Sequence, residues 1–90
     1  MDELTTKIIA EHEQELREMV EHNRMAREWN RKFVAASQND DDDAAAEAAS
    51  ERNAHNNAET EIQIRLSNIA RKISGSQYVG GWHEYAFKNF

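Results

Sequence analysis

Proline is absent from this 90-residue chain, and its three glycines, Gly75, Gly80 and Gly81, all lie after residue 74. Proline and glycine are the residues that most often interrupt a helix, so the first 74 residues contain none of the usual helix breakers. This constraint favours long helices over strands joined by tight turns. We therefore predict an all-α fold.

Apolar side chains recur along the chain at alternating spacings of three and four residues, which is the period of one helix face. A first stripe predicts a helix over residues 3–36, and a second stripe predicts another over residues 42–74, ending just before Gly75. Residues 37–43 are left as a short elbow between the two. The stripes run through Leu4, Ile8, Leu16, Met19 and Phe33, and through Ile62, Leu66, Ile69 and Ile73.

The elbow contains four consecutive aspartates, Asp40, Asp41, Asp42 and Asp43. Aspartate is a good N-cap, and its charge is favourable near the positive end of a helix dipole. No large hydrophobic residue occurs from Ala35 to Glu61. We interpret this stretch as a solvated helix-helix elbow held by alanine contacts and caps, and a flexible acidic connector is the alternative.

The distribution of charge predicts how the two helices pack. The net charge is −5 over residues 1–21, +3 over 22–36, −6 over 37–60 and +2 over 61–90. In an antiparallel hairpin, opposite signs face each other along the whole length, whereas a parallel pair places like charges together. The sequence therefore predicts a long antiparallel helical hairpin.

The predicted core is thin, because 13 of the 35 residues counted as hydrophobic are alanine. Chains of this length gain only about 3–5 kcal/mol from a single core and are often stabilised by oligomerisation. We predict that residues 1–90 form one domain that assembles as a homo-oligomer, with a four-helix bundle dimer as the simplest closure. Polar residues on the first stripe would fix its register, namely His12, Asn23 and Asn30.

Residues 75–90 form a segment that is rich in aromatic side chains, since they hold five of the seven in the chain. Either these rings fold over the hairpin and complete its core, as part of a short third helix or an extended segment, or some remain exposed and bind a partner. Trp82, Tyr85, Phe87 and Phe90 are the candidate partner-binding anchors, and the elbow aspartates are the candidate source of charge complementarity.

Several functional classes are excluded by what the sequence lacks. With no cysteine there is no thiolate nucleophile, and no serine lies in a nucleophile elbow or phosphate-binding loop. His22 follows Glu18, and His55 follows Glu51, by four residues, but this spacing is common by chance, so we expect no metal site and no cofactor. The charge of −6 disfavours direct nucleic-acid binding, and no apolar run suits a membrane. We expect a non-enzymatic, cytoplasmic protein.

Three functions remain open. The first is an inhibitor or adaptor that occupies the surface of a partner protein. The second is a nucleic-acid mimic whose carboxylates block the basic groove of a DNA- or RNA-binding enzyme. The third is capture of a small anionic, nucleotide-like ligand by basic and aromatic residues near the C-terminus, namely Arg71, Lys72, Tyr78 and Lys88.

Overall fold

A computed structural model of the chain describes residues 3–74 and 81–90. Within these ranges the chain forms four helices: α1 (Glu3–Glu11), α2 (Glu13–Gln38), α3 (Asp42–Ser74) and α4 (Gly81–Asn89). The all-α prediction is confirmed. The predicted range of the second helix, 42–74, is the range of α3, and part of the aromatic segment is the helix α4.

The first predicted helix, over residues 3–36, is wrong in one respect, because it is divided into α1 and α2 at His12. The backbone of His12 has φ −126° and ψ 27°. Helical hydrogen bonds continue on both sides, from His12 N to the Ile8 carbonyl at 2.9 Å and from Leu16 N to the His12 carbonyl at 3.0 Å. The chain therefore bends at a single residue. The bend accompanies the packing of α1 against α4. These two helices are close at Gly81, because a Cβ atom added there would lie only 3.1 Å from Thr5 Oγ1.

The elbow between α2 and α3 is a tight turn stabilised by capping interactions. Asp40 has φ 56°, in the left-handed region. Its N–H donates to the Ser37 carbonyl at 3.2 Å, and the Asp41 N–H donates to the Ala36 carbonyl at 2.9 Å, which is the pair of bonds that defines a Schellman C-cap. Asp41 then caps α3, because its Oδ1 accepts a hydrogen bond from Ala44 N at 3.1 Å. The elbow is thus a short turn of residues 39–41 between α2 and α3, shorter than the predicted range 37–43.

Helices α2 and α3 pack side by side in antiparallel order. Arg65 donates to Glu15 at 3.0 Å, and nearer the elbow Arg52 donates to Asn30 Oδ1 at 3.0 Å. Later residues of α2 therefore contact earlier residues of α3, which is the order expected of antiparallel helices joined at the elbow. The two helices form the helical hairpin that the charge pattern predicts.

The apolar core lies at the end of the molecule away from the elbow. There α1, the first half of α2, the second half of α3 and α4 meet, and we call this part the base. Its buried side chains are Ile8, Leu16, Met19 and Val20 from α1 and α2, Ile62, Leu66 and Ala70 from α3, and Trp82 and Ala86 from α4.

Beyond the base, α2 and α3 continue as a two-helix arm over residues 22–59. Ala26 and Ala48 are its buried residues, so small alanine contacts replace large apolar ones there. The whole molecule measures 51 × 22 × 18 Å, and the arm accounts for its elongated shape.

Among the described residues, we find no helix whose length and apolar character would allow it to span a membrane.

Candidate functional site

The elbow carries an exposed acidic surface at the end of the arm. Asp40, Asp41, Asp42 and Asp43 are all exposed, as are Glu47 and Glu51 on α3. Within the described residues none of these six carboxylates forms an ion pair with a cationic side chain. We call these six residues the acidic face. It offers unpaired negative charge to a basic partner.

Trp82 lies in the core of the base, with 3% of its surface exposed. The prediction that Trp82 anchors a partner is therefore wrong for this structure, since α4 turns its indole ring toward the other helices. Ala86, one turn later on the same face of α4, is also fully buried. This face of α4 completes the hydrophobic core that α3 alone could not form.

The other three aromatic candidates are half-buried on the outside of the base. Tyr85 and Phe90 form an edge-to-face pair with centroids 5.7 Å apart, and the Arg17 guanidinium lies 4.2 Å above the Phe90 ring. Phe87 contacts the His83 ring at 4.8 Å. We call Tyr85, Phe87 and Phe90 the aromatic edge. All three rings keep some accessible area, and Phe87 and Phe90 also pack against the core.

The acidic face and the aromatic edge lie far apart along the molecule. Arg17 contacts the aromatic edge, and α2 runs from there to its end at Gln38. At a rise of 1.5 Å per residue these positions are roughly 30 Å apart. The elbow and the aromatic edge are therefore separate surfaces toward opposite ends of the hairpin.

Polar contacts across the hairpin join the two helices of the arm. They replace apolar packing at positions where each helix turns a polar side chain toward the other. We call them the polar seam: His22 with His55 at 3.0 Å between their Nδ1 atoms, Asn23 with Glu59 at 3.2 and 3.3 Å, and Asn30 with Arg52 at 3.0 Å.

An open groove of about 310 Å³ lies along the polar seam. Arg52 on its wall also stacks over Phe33, with its Cζ 4.9 Å from the ring centroid. Guanidinium and carboxamide groups are suited to bind a carboxylate or a phosphate. The groove is lined by Asn23, Ala26, Arg27, Asn30, Arg52 and Asn56.

Three of the four residues predicted to bind a small anion are described, and none of these three lines the groove. Arg71 and Lys72 are exposed at the end of α3, and Lys88 is exposed on α4. Tyr78 lies outside the described residues. A basic site near the C-terminus therefore stays a prediction. The groove is a different basic site, because Arg27 and Arg52 line it, and these two residues are far apart in the sequence.

The pairing of His22 with His55 was also missed from the sequence. The spacing along the sequence relates each histidine only to a glutamate on its own helix, whereas the observed contact is between helices. A signal did exist, because an antiparallel hairpin that turns near Asp40 brings together residues whose numbers sum to about 80. In the described ranges no cluster of three or more acidic or histidine side chains is arranged to hold a metal ion.

Comparison with known proteins yields no similarity: no protein-family model matches the chain, and no curated protein or solved structure matches it significantly.

Proposed function

We propose that this protein is a small, non-catalytic helical module that binds another protein and occupies part of its surface, as an inhibitor or adaptor does. The observation that supports this proposal is the acidic face, which is exposed, unpaired within the described residues and held at the end of a long arm. Such a charged surface accelerates association with a basic partner and favours partners of opposite charge. We place this role in the cytoplasm, consistent with a chain that has no cysteine.

The dimensions of the arm indicate how a partner would contact it. A helix is about 10 Å across with its side chains, so the end of the two-helix arm offers roughly 200 Å², about a quarter of what one partner contributes to a standard interface. A stable complex must therefore include the flank of α3, where Glu47 and Glu51 continue the acidic face. We expect a partner with a basic groove or cleft that receives the end of the arm.

A nucleic-acid mimic is a more specific form of the same proposal. Asp43, Glu47 and Glu51 follow one another by four residues, so their carboxylates lie on one side of α3 at intervals of about 6 Å. A regular row of negative charges is what the basic groove of a DNA- or RNA-binding enzyme recognises. In this form the partner is such an enzyme, and its nucleic acid competes with the protein.

The aromatic edge supports a second candidate surface. Tyr85 and Phe90 keep part of their area exposed beside the Arg17 guanidinium, and tyrosine and arginine are frequent in binding hot spots. Because this surface is apolar, binding through it should resist high salt. Binding through the acidic face should weaken as salt screens the charges.

The test begins with capture of binding proteins from host lysate, with washes at low and at high salt. The bound proteins are identified and purified, and their binding to two variants is then compared with binding to the wild-type protein. The first variant carries Asp→Asn substitutions at Asp40, Asp41, Asp42 and Asp43. Asparagine retains both the left-handed conformation at 40 and the cap at 41, so helicity measured by circular dichroism should be preserved. We expect the purified partner to bind the wild-type protein at least about tenfold more tightly than this variant at low salt.

The matched control removes four exposed carboxylates elsewhere, through Glu→Gln at Glu11, Glu28, Glu61 and Glu84. If this control loses as much affinity as the elbow variant, net charge and not the acidic face determines binding. If Tyr85→Ala or Phe90→Ala abolishes capture and the elbow variant does not, the aromatic edge is the binding surface. Competition by duplex DNA or RNA for the purified partner distinguishes the nucleic-acid mimic from other inhibitors.

A further inference from the structure

Two imidazole rings meet across the hairpin where the base continues into the arm. His22 on α2 and His55 on α3 are both half-buried, and their Nδ1 atoms lie 3.0 Å apart. The ring centroids are 5.2 Å apart and the ring planes differ by 38°. One Nδ1 donates a hydrogen bond to the other. The packing of α2 against α3 therefore already holds the two rings in contact.

The separation of the two nitrogens is close to that of neighbouring ligands on one metal ion. With metal–nitrogen bonds of about 2.0–2.1 Å, two nitrogens at 90° are about 2.9 Å apart, and two at the tetrahedral angle are about 3.3 Å apart. The observed 3.0 Å falls nearest the first value. Square-planar and tetragonal coordination is typical of Cu²⁺ and Ni²⁺, whereas Zn²⁺ would require the pair to open slightly.

Only the side chains need to move for both nitrogens to face one ion. The rings now point at each other along the hydrogen bond, and rotation about χ2 turns both Nδ1 lone pairs toward a common point, a torsion that is broad for histidine. The imidazole that donates the hydrogen bond must also become the tautomer protonated at Nε2. The proton moves through solvent from one ring nitrogen to the other, and no net proton is released.

The surrounding charges favour a cation at this position. Glu18 lies one turn before His22, Glu51 lies one turn before His55, and Glu59 lies one turn after His55. The carboxylate of Glu59 is held by Asn23 Nδ2 at 3.2 and 3.3 Å. Since the described residues place no third side chain as a ligand, water would complete the coordination shell.

We propose that His22 and His55 form an interhelical bis-imidazole site for a divalent transition metal ion, with Cu²⁺ bound most tightly and Ni²⁺ and Zn²⁺ less so, in the usual order of affinity. The ion joins α2 to α3 just beyond the core, where the buried apolar residues of the arm are alanines. It would therefore stiffen the arm and hold the acidic face in place. This inference does not depend on the proposed partner.

The test is thermal unfolding of the untagged full-length chain, monitored by circular dichroism with added CuCl₂, NiCl₂ or ZnCl₂ and again after EDTA. At a free metal concentration about a hundredfold above Kd, we expect the Tm of the wild-type protein to rise by at least about 10 °C and to return with EDTA. Calorimetry should give one ion per chain. Electron paramagnetic resonance of the Cu²⁺ complex should show two coordinating nitrogens.

The chain provides its own matched controls, because it has two further histidines. His22→Gln and His55→Gln should each lower metal affinity at least about tenfold, whereas His12→Gln and His83→Gln should leave it unchanged. The proposal is overturned if all four variants respond equally, or if the wild-type Tm does not change at millimolar metal. It is also overturned if the metal binds by joining two chains, seen as a doubled mass only when metal is present. Helicity of each variant without metal shows whether it is folded.

Discussion

At the elbow, four identical residues in a row have different structural roles. Asp40 adopts the left-handed conformation that ends α2, and the Asp41 carboxylate caps the first turn of α3. Asp42 and Asp43 lie in that first turn, where negative charge interacts favourably with the helix dipole. The mutual repulsion of the four carboxylates is therefore offset by local interactions at Asp41, Asp42 and Asp43.

Removal of the cap at Asp41 should destabilise the hairpin. In Asp41→Ala the N–H of Ala44 loses its side-chain acceptor, and we expect the free energy of unfolding to fall by about 1 kcal/mol. Asp41→Ser keeps an acceptor and should change it little. Urea unfolding of the two variants measures the difference, and an equal loss in both would contradict a role for the cap.

At Asp40 the backbone conformation decides the outcome of substitution. Glycine adopts a positive φ without a steric penalty, so Asp40→Gly should raise Tm. Asp40→Val places a β-branched side chain in the left-handed region and should lower the free energy of unfolding by about 1–2 kcal/mol. Differential scanning calorimetry compares both with the wild-type protein. A lower Tm for the glycine variant would show that the Asp40 side chain matters more than its φ angle.

Among the elements, α4 contributes most to the core relative to its length of nine residues. Trp82 and Ala86 fill the space between α1, α2 and α3, and Gly81 permits the close approach of α4 to Thr5. The bend at His12 separates α1 from α2, and α1 packs against α4. These two short helices close the base, which explains how a hairpin with a thin stripe of large apolar residues gains a core.

Truncation of Trp82 should therefore affect stability more than any change on the aromatic edge. We expect Trp82→Ala to lower the free energy of unfolding by about 3–5 kcal/mol, a large part of the total for a domain of this size. Tyr85→Ala, on the half-buried side of the same helix, should cost clearly less. Chemical denaturation checks both, and a similar loss in the two variants would mean that Trp82 is not the main contact of α4.

For the molecule as a whole, stability is distributed unevenly along its length. The base holds the large buried side chains, and the arm holds Ala26, Ala48 and the polar seam. Regions with few buried apolar contacts open locally at a lower free energy than the core does. The end that carries the acidic face is thus the less stable end.

Hydrogen exchange should reveal this gradient. Amides of residues 16–20 and 62–70 should exchange most slowly, and those of residues 26–50 should exchange at least about tenfold faster, because the arm can open without exposing the core. Mass spectrometry of peptic peptides measures both regions. Uniform protection along α2 and α3 would contradict an arm that opens independently.

Self-association stays a prediction based on the thin core. Among the described residues, the exposed large apolar ones are Val34, Ile64 and Ile73, and we expect an oligomer to cover them. We expect a mass of at least twice the 10.4 kDa of one chain in light scattering at micromolar concentration. Ile64→Lys should weaken the assembly if that residue is covered. A wild-type mass of 10.4 kDa would show that the base closes the core of a single chain.

The sequence by itself determined the helices of the hairpin, because the absence of proline, the spacing of apolar residues and the capping aspartates are all local signals. The distribution of charge also indicated the antiparallel order, because the net charges of whole segments can be compared from the sequence alone. Only the tertiary structure decided the bend at His12, the burial of Trp82 and the pairing of His22 with His55. Each of these depends on which face of one helix meets another, and that choice is made by packing among all four helices together.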